Sequence, residues 1–247
     1  MNVPIITGDF RTELAAHAPF NMLLADPPYG DTSLAWDKRL AGWPSNAIEL
    51  LAPNGSMWVF GSMRFFIDTG AEFAAAGWRL AQDVVWEKHN GSGLHGDRFK
   101  RVHELAVQFY RATDKWPDVF NEVQKTNDAT ARTVRRKTKP QHHQGKSAPS
   151  YYESEDGGPK IMRSVIFMRS CHGRAIHPTE KPDALLEILI RTSCPVDGLV
   201  GDLFAGSGAG GEAAMRAGRR YVGTEIDPAM AGKARDRLAS LLPMAAA

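Results

Sequence analysis

The chain has 247 residues, 43% of them hydrophobic and 23% charged, with a formal net charge of +2. That length fills one α/β core and leaves room for one modest insertion, and the near-neutral balance excludes reading a partner from overall charge. Two cysteines, Cys171 and Cys194, exclude a disulfide framework and a thiolate metal cage.

No C-x-x-C or H-E-x-x-H pattern occurs, so no metal is expected. The opening MNVPIITGDF lacks a basic stretch followed by an apolar run, and no segment has the length of a membrane span. The expectation is a cytoplasmic protein of a bacterium, or of a phage in a bacterial host, with no membrane partner.

Short apolar runs closed by Gly, Pro or polar residues read as buried strands. In chain order they are 3–7, closed by Gly8 and Asp9; 22–25, closed by Asp26, Pro27 and Pro28; and 56–60, closed by Gly61 and Ser62. Residues 78–87 and 105–110 follow and, after a long interval, 199–203 and 221–224. Helices are predicted over 40–51, 64–76, 184–192, 211–217 and 228–242. Strands alternating with helices predict an α/β fold with a mostly parallel, doubly wound sheet.

Residues 112–160 interrupt that alternation. Within 131–146 lie Arg132, Arg135, Arg136, Lys137, Lys139 and Lys146, with two histidines and no acid, and the acidic, glycine-rich run ESEDGGP follows. The expected organisation is one domain in two halves, 1–111 and 161–247, around a 112–160 insertion that is mobile when unbound.

Near the C-terminus, Asp202-Leu203-Phe204-Ala205-Gly206-Ser207-Gly208 follows an apolar strand and opens a helix. Gly206, Gly208 and Gly211 satisfy G-x-G-x-x-G, and Glu225 ends the next strand. Glycines let backbone approach a nucleotide-type ligand, and a carboxylate after the following strand accepts from ribose hydroxyls. A dinucleotide fold needs more strands after its fingerprint than remain here. The expectation is therefore a circular permutation, with the ligand-binding half last.

Asp26-Pro27-Pro28-Tyr29 follows the strand ending at Ala25. Two prolines fix φ and remove backbone donors, which leaves a rigid, acceptor-rich corner beside an aromatic ring. Such a corner suits a planar substrate carrying an NH2 group: Asp26 and the Pro27 carbonyl can each accept one amino hydrogen, and Tyr29 can stack on the ring. Two oriented acceptors aim the nitrogen lone pair at an electrophile, which is catalysis by positioning. An activated methyl donor needs no cysteine adduct and no metal, and no cysteine lies near this corner.

Together these motifs resemble those of the amino-directed DNA methyltransferases, and their order, DPPY before the F-x-G-x-G loop, is similar to the β group of that family. The resemblance covers most of the chain outside the insertion. It implies a Rossmann-like fold, S-adenosyl-L-methionine as methyl donor, and transfer to N6 of adenine in double-stranded DNA after base flipping. It implies that Asp26 stands at the junction of donor and substrate, and that Asp9 and Phe10 hold the donor's adenine. HPTEKP at 177–182 resembles the family's segment before the glycine loop, implying that Thr179 and Lys181 hold the methionyl end. Asp202, Phe204, Ala205, Gly206, Ser207 and Gly208 would line the donor, with Glu225 on its ribose and Ile226 against its adenine. VVWEK at 84–88 and RFKRVHE at 98–104 resemble a later strand and its adjoining loop. Leu203, Gly30 and Glu180 depart from a common Pro, Asn and Gln.

The family's target-recognition region falls where the basic insertion lies here. Arg132, Arg135, Arg136, Lys137, Lys139 and Lys146 are the expected DNA contacts, since such residues neutralise phosphates and Arg can read guanine edges. Trp36 is a second candidate for stacking on the flipped base. The resemblance also allows a homodimer and a cognate restriction endonuclease as partners. The nearest alternative is N4-cytosine methylation; the Asp that opens DPPY favours adenine. A nicotinamide-dependent oxidoreductase would bind a dinucleotide, and a non-catalytic DNA-binding module would be indifferent to loss of Asp26.

Overall fold

The computed structural model describes residues 4–92, 96–136, 150–171, 173, 175–177 and 179–241. Its first compact unit comprises Met1–Glu122 and Ser164–Ala247, and its second comprises Val123–Arg163.

In the first unit the strands are β1 (Ile5–Thr7), β2 (Phe20–Ala25), β3 (Leu51–Gly61), β4 (Trp78–Ser92) and β5 (Arg101–Arg111). Helices α1 (Phe10–Glu13), α2 (Trp43–Leu50) and α3 (Met63–Ala75) lie between them. The second unit contributes β6 (Lys125–Thr126), β7 (Arg132–Arg136), β8 (Ser150–Ser154) and β9 (Lys160–Ile161). The first unit then resumes with β10 (Val165–Phe167), α4 (Asp183–Ser193), β11 (Leu199–Asp202), α5 (Ala209–Arg216), β12 (Arg220–Glu225) and α6 (Pro228–Leu241).

Eight strands form one sheet in the order β1-β12-β11-β2-β3-β5-β4-β10. Only β5 runs against its neighbours β3 and β4; the other pairings are parallel. This is the doubly wound, Rossmann-like architecture, and its permutation is visible at the centre. There β11, from the end of the chain, pairs with β2, from its beginning, in the register Asp202↔Leu24. Parallel strands end on the same edge of a sheet, so that pairing carries Asp26 and the glycine loop to one edge, beside the crevice where ligands bind in open α/β sheets.

The central strands are buried on both faces, as parallel strands covered by helices must be. Met22, Leu23, Leu24 and Ala25 of β2 and Met57, Trp58, Val59 and Phe60 of β3 are all buried. Ser62 caps α3 by accepting from the Phe65 amide at 3.2 Å. Phe65, Thr69 and Phe73 recur at helical spacing along the face α3 buries, and Phe73 stacks on Phe109 of β5 at 4.5 Å.

Several boundaries differ from the sequence reading; β5, for one, begins at Arg101 rather than at 105. Helix α2 begins at Trp43 rather than at 40, because Gly42 at φ 76° turns the chain immediately before it. Strand β3 begins at Leu51 rather than at 56, and its pairing with β2 shifts register between Phe20↔Leu51 and Met22↔Ser56. The irregularity surrounds Asn54 at φ 60°, a conformation that Asn tolerates, and so the segment looks like a loop in sequence. Strand β4 continues past 87 to Ser92 as one arm of a long hairpin with β5.

The second unit holds two antiparallel ladders, β6 with β9 and β7 with β8. Their joint is closed by Gly157 donating to the Ala129 carbonyl at 2.8 Å and Ala129 donating to the Gly158 carbonyl at 3.1 Å. Within 112–160 the described strand residues are 125–126, 132–136, 150–154 and 160. The segment's weak apolar periodicity reflects short ladders with little buried surface.

Candidate active site

One cavity of about 740 Å³ lies in the first unit. Asp9, Phe10, Asp26, Pro27, Pro28, Tyr29, Thr179, Lys181, Asp202, Phe204, Ala205, Gly206, Ser207, Glu225 and Ile226 all line it. The early acceptor corner and the late glycine loop therefore share one space. They are also bonded together, since the Leu203 amide donates to the Leu24 carbonyl at 2.9 Å, while the Ala205 amide ties the loop to β12 by donating to the Thr224 carbonyl at 2.8 Å.

Asp26 sits at the end of β2, partly exposed. Its Oδ1 accepts from the Tyr29 hydroxyl at 2.6 Å, and its Oδ2 accepts from Lys181 Nζ at 2.6 Å. A carboxylate has about four acceptor sites, so two bonds leave capacity for a ligand. Tyr29 lies 5.5 Å from the Phe65 ring, tilted. Burial, with the Asp26 carboxylate next in weight, pushes its phenol well above the ordinary range, so it stays a neutral donor. The turn beyond is clamped. Arg39 Nε donates to the Tyr29 carbonyl at 2.7 Å, and buried Asp37 accepts from the Gly30 and Thr32 amides, each at 2.8 Å.

Lys181 is 5% exposed and bridges Asp26 to Glu104, whose Oε2 lies 3.5 Å away. Glu104 also pairs with Lys88. Burial opposes ionisation of Glu104, but Lys181 and Lys88 outweigh it and hold the carboxyl below its ordinary range. Burial likewise disfavours the Lys181 ammonium, and Asp26 and Glu104 reverse that and raise it. Lys181 also lies 5.7 Å from the Tyr29 ring and 5.2 Å from that of Phe60. The ammonium is therefore committed at the Asp26 end of the cavity.

Asp202 is 5% exposed. Its Oδ2 accepts from the Tyr221 hydroxyl at 3.0 Å, and its Oδ1 accepts from the Phe204 amide at 3.3 Å. Burial, with the negative charges of Asp26 and Glu225 adding to it, pushes its carboxyl up to about 7. Glu225 is spent on the backbone: it accepts from the Gly206 amide at 2.9 Å and the Asp227 amide at 2.8 Å. Asp9 caps α1 and chelates Arg11, whose side chain holds its carboxyl below the ordinary value. Phe204 packs edge-on against Phe10 at 5.5 Å and Trp43 at 5.7 Å.

Gly208 does not line the cavity. It starts α5 at φ 78°, and a Cβ there would meet Ala234 at 3.1 Å, so this glycine serves the turn and the packing of α6. Gly210 lines the wall instead, and a Cβ on it would come within 2.4 Å of Asp202 Oδ2. Trp36 is 47% exposed, lines the cavity and lies 5.2 Å from His177. Arg132 and Arg135 are exposed on β7 of the second unit, Arg135 5.4 Å from the Tyr151 ring. Lys137, Lys139 and Lys146 lie outside the described residues, as does the side chain of Arg136. Sequence reasoning gave no role to Glu104, Lys88 or Asp37. The first two sat within segments already noticed, VVWEK and RFKRVHE, where an acid and a base on paired strands could have signalled an ion pair.

The lining suits a cationic nucleoside. Asp26, Asp202 and Glu225 line the cavity together with Phe10, Phe204 and Ile226, so acidic groups and apolar faces stand in one space; burial is the chief cause of the raised Asp202 carboxyl, with the Asp26 and Glu225 charges adding to it. Among the described residues no group of three or more His, Cys, Asp or Glu is placed to hold a metal ion, and no helix is long and apolar enough to cross a membrane.

The N6_N4_Mtase family model, described as DNA methylase, matches residues 18–235. The chain belongs to this family of DNA methylases. Methylases of the family act on DNA and use S-adenosylmethionine as methyl donor, which agrees with the cavity's chemistry. A curated relative, the type II methyltransferase M2.DpnII of Streptococcus pneumoniae, is 26% identical over 246 residues, covering 88% of this chain and 82% of its own length. Among solved structures, M1.HpyAVI in complex with SAM aligns at a TM-score of 0.66 and 22% identity, over 96% of this methylase and all of that chain. The cytosine-N4-specific PvuII DNA methyltransferase aligns at 0.63 and 18% identity, over 96% and 86%. At these identities the two structures establish the fold.

Proposed function

We propose that this methylase transfers a methyl group to N6 of adenine in double-stranded DNA, as a member of the β group. The observation that carries the reading is the single cavity lined both by the Asp26 corner and by the glycine loop. The Asp that opens DPPY favours adenine over cytosine N4, which remains the alternative. When bound, S-adenosylmethionine supplies a methyl group activated as a sulfonium.

The chain's own residues do the rest. The adenine amino nitrogen is a weak nucleophile, and the Asp26 carboxylate and the Pro27 carbonyl accept its two hydrogens so that its lone pair faces the donor. Asp26 takes the proton released on transfer. Tyr29 keeps Asp26 oriented through its hydroxyl, and Lys181 is its counter-ion, a role better matched to the geometry than holding the methionyl end. Tyr29 and Trp36 present aromatic faces to the flipped base. Phe10, Asp9, Glu225 and Ile226 would hold the nucleoside end of the donor, and Asp202, Phe204 and Thr179 its charged end. Arg132 and Arg135, with the basic residues that follow them, are the DNA contacts of a target-recognition region. A homodimer and a cognate restriction endonuclease belong to the same reading.

Modification-detecting sequencing of DNA from a host expressing the protein tests this. N6-methyladenine at one recurring sequence is expected. N4-methylcytosine at such a sequence would replace the adenine reading, and unmodified DNA would remove both.

A further inference from the structure

The hairpin of β4 and β5 carries an exposed stretch, Gly96–Lys100, every residue of which is open to solvent. Phe99 stands there at 101% relative exposure, the most exposed large hydrophobic side chain among the described residues. Isolated exposed apolar residues are common and need no function. Three further observations separate this one. Its neighbours in sequence are Arg98, Lys100 and Arg101, so the ring projects from a cationic segment. Arg101 lines the cavity that holds Asp26, and its guanidinium reaches to 3.8 Å from Asp31 on that wall. Two residues of extended chain span about 7 Å at most, which keeps the ring close to the cavity rim.

A base inside a duplex cannot reach a buried carboxylate, and extruding it leaves a gap in the stack that collapses unless filled. Apolar side chains inserted between base steps fill such gaps, with flanking cations on the phosphates. We propose that Phe99 is the wedge that enters the stack where the target base leaves, while Lys100 and Arg101 hold the adjoining phosphates. Arg98 contributes less, because Asp97 pairs with it at 2.5 Å, whereas Arg101 stands 3.8 Å from Asp31 and Lys100 Nζ donates only to the neutral Asn90 side-chain oxygen at 3.0 Å. The inference rests on the DNA-base reading above.

The test compares wild type, Phe99→Ala and Phe99→Trp on two duplexes carrying the modified site found by sequencing. One is fully paired; in the other the nucleotide opposite the target is abasic, so little unpairing remains to be done. Phe99→Ala is expected to lose about tenfold or more in methyl transfer on the paired duplex and to stay within about threefold on the abasic one. Phe99→Trp should keep wild-type rates on both. 2-Aminopurine at the target position should brighten with wild type and not with Phe99→Ala on the paired duplex. The exposed position predicts unchanged thermal stability. An equal loss on both duplexes, or none on either, overturns the wedge. Wild-type protein that methylates neither duplex removes the DNA reading itself, and the wedge with it.

Discussion

At Lys181 three charged groups meet where water is largely excluded: the ammonium lies 2.6 Å from Asp26 Oδ2 and 3.5 Å from Glu104 Oε2. Removing one member of such a set leaves the others uncompensated, at a cost of about 3–5 kcal/mol. Lys181→Met should therefore lower stability by that order and slow methyl transfer, and denaturant unfolding at neutral pH checks the first. Asp202 makes a pH prediction. Its carboxyl titrates at about 7 in the fold against an ordinary 3.8. Between those values the folded chain holds a proton that the unfolded chain has released, so this group's contribution to stability falls as pH rises from about 4 to about 7 and is flat above. Asp202→Asn should abolish that fall, a difference of a few kcal/mol between the two proteins' stability–pH curves. Parallel curves would show that Asp202 is not the titrating group.

Among the elements, α5 lines the cavity through Ala209 and Gly210. Gly210→Ala would bring a methyl group to within 2.4 Å of the buried Asp202 oxygen. Overpacking of this kind costs about 1–3 kcal/mol, and calorimetric titration should show weaker donor binding with it; unchanged affinity would mean that the wall relaxes. How much of this could be read beforehand depended on whether the signal was local. Strands β2 and β11 were legible because both faces are buried, leaving unbroken apolar runs with sharp stops. The Asp26 corner and the glycine loop were legible because each is contiguous. The early start of β3 was hidden by Pro53 and Asn54, residues that usually mark loops. The reversal of β5 follows from a hairpin too short for a parallel crossover, and β10 is only three residues long. Glu104 reaches the cavity from a segment far along the chain, so no single window of sequence could join it to Asp26, whereas Trp36, ten residues on, could be named beforehand.

At the scale of the molecule, the cavity belongs to the first unit and exposed arginines of β7 to the second. Arg132 and Arg135 are exposed on a strand, where charge serves binding better than stability. Changing both to Ala should weaken DNA binding and flatten its dependence on log salt by about two units, while S-adenosylmethionine binding in the first unit is unchanged. An unaltered salt slope would assign those arginines to the solvent. The most direct measurement of the central claim is nucleoside analysis of DNA incubated with methyl-labelled S-adenosylmethionine and either wild type or Asp26→Ala. Label in N6-methyladenine is predicted with wild type, and a drop of about 10²–10³-fold or more with a variant that still binds the donor. Wild-type rates from Asp26→Ala, or label on a ring carbon, would contradict it.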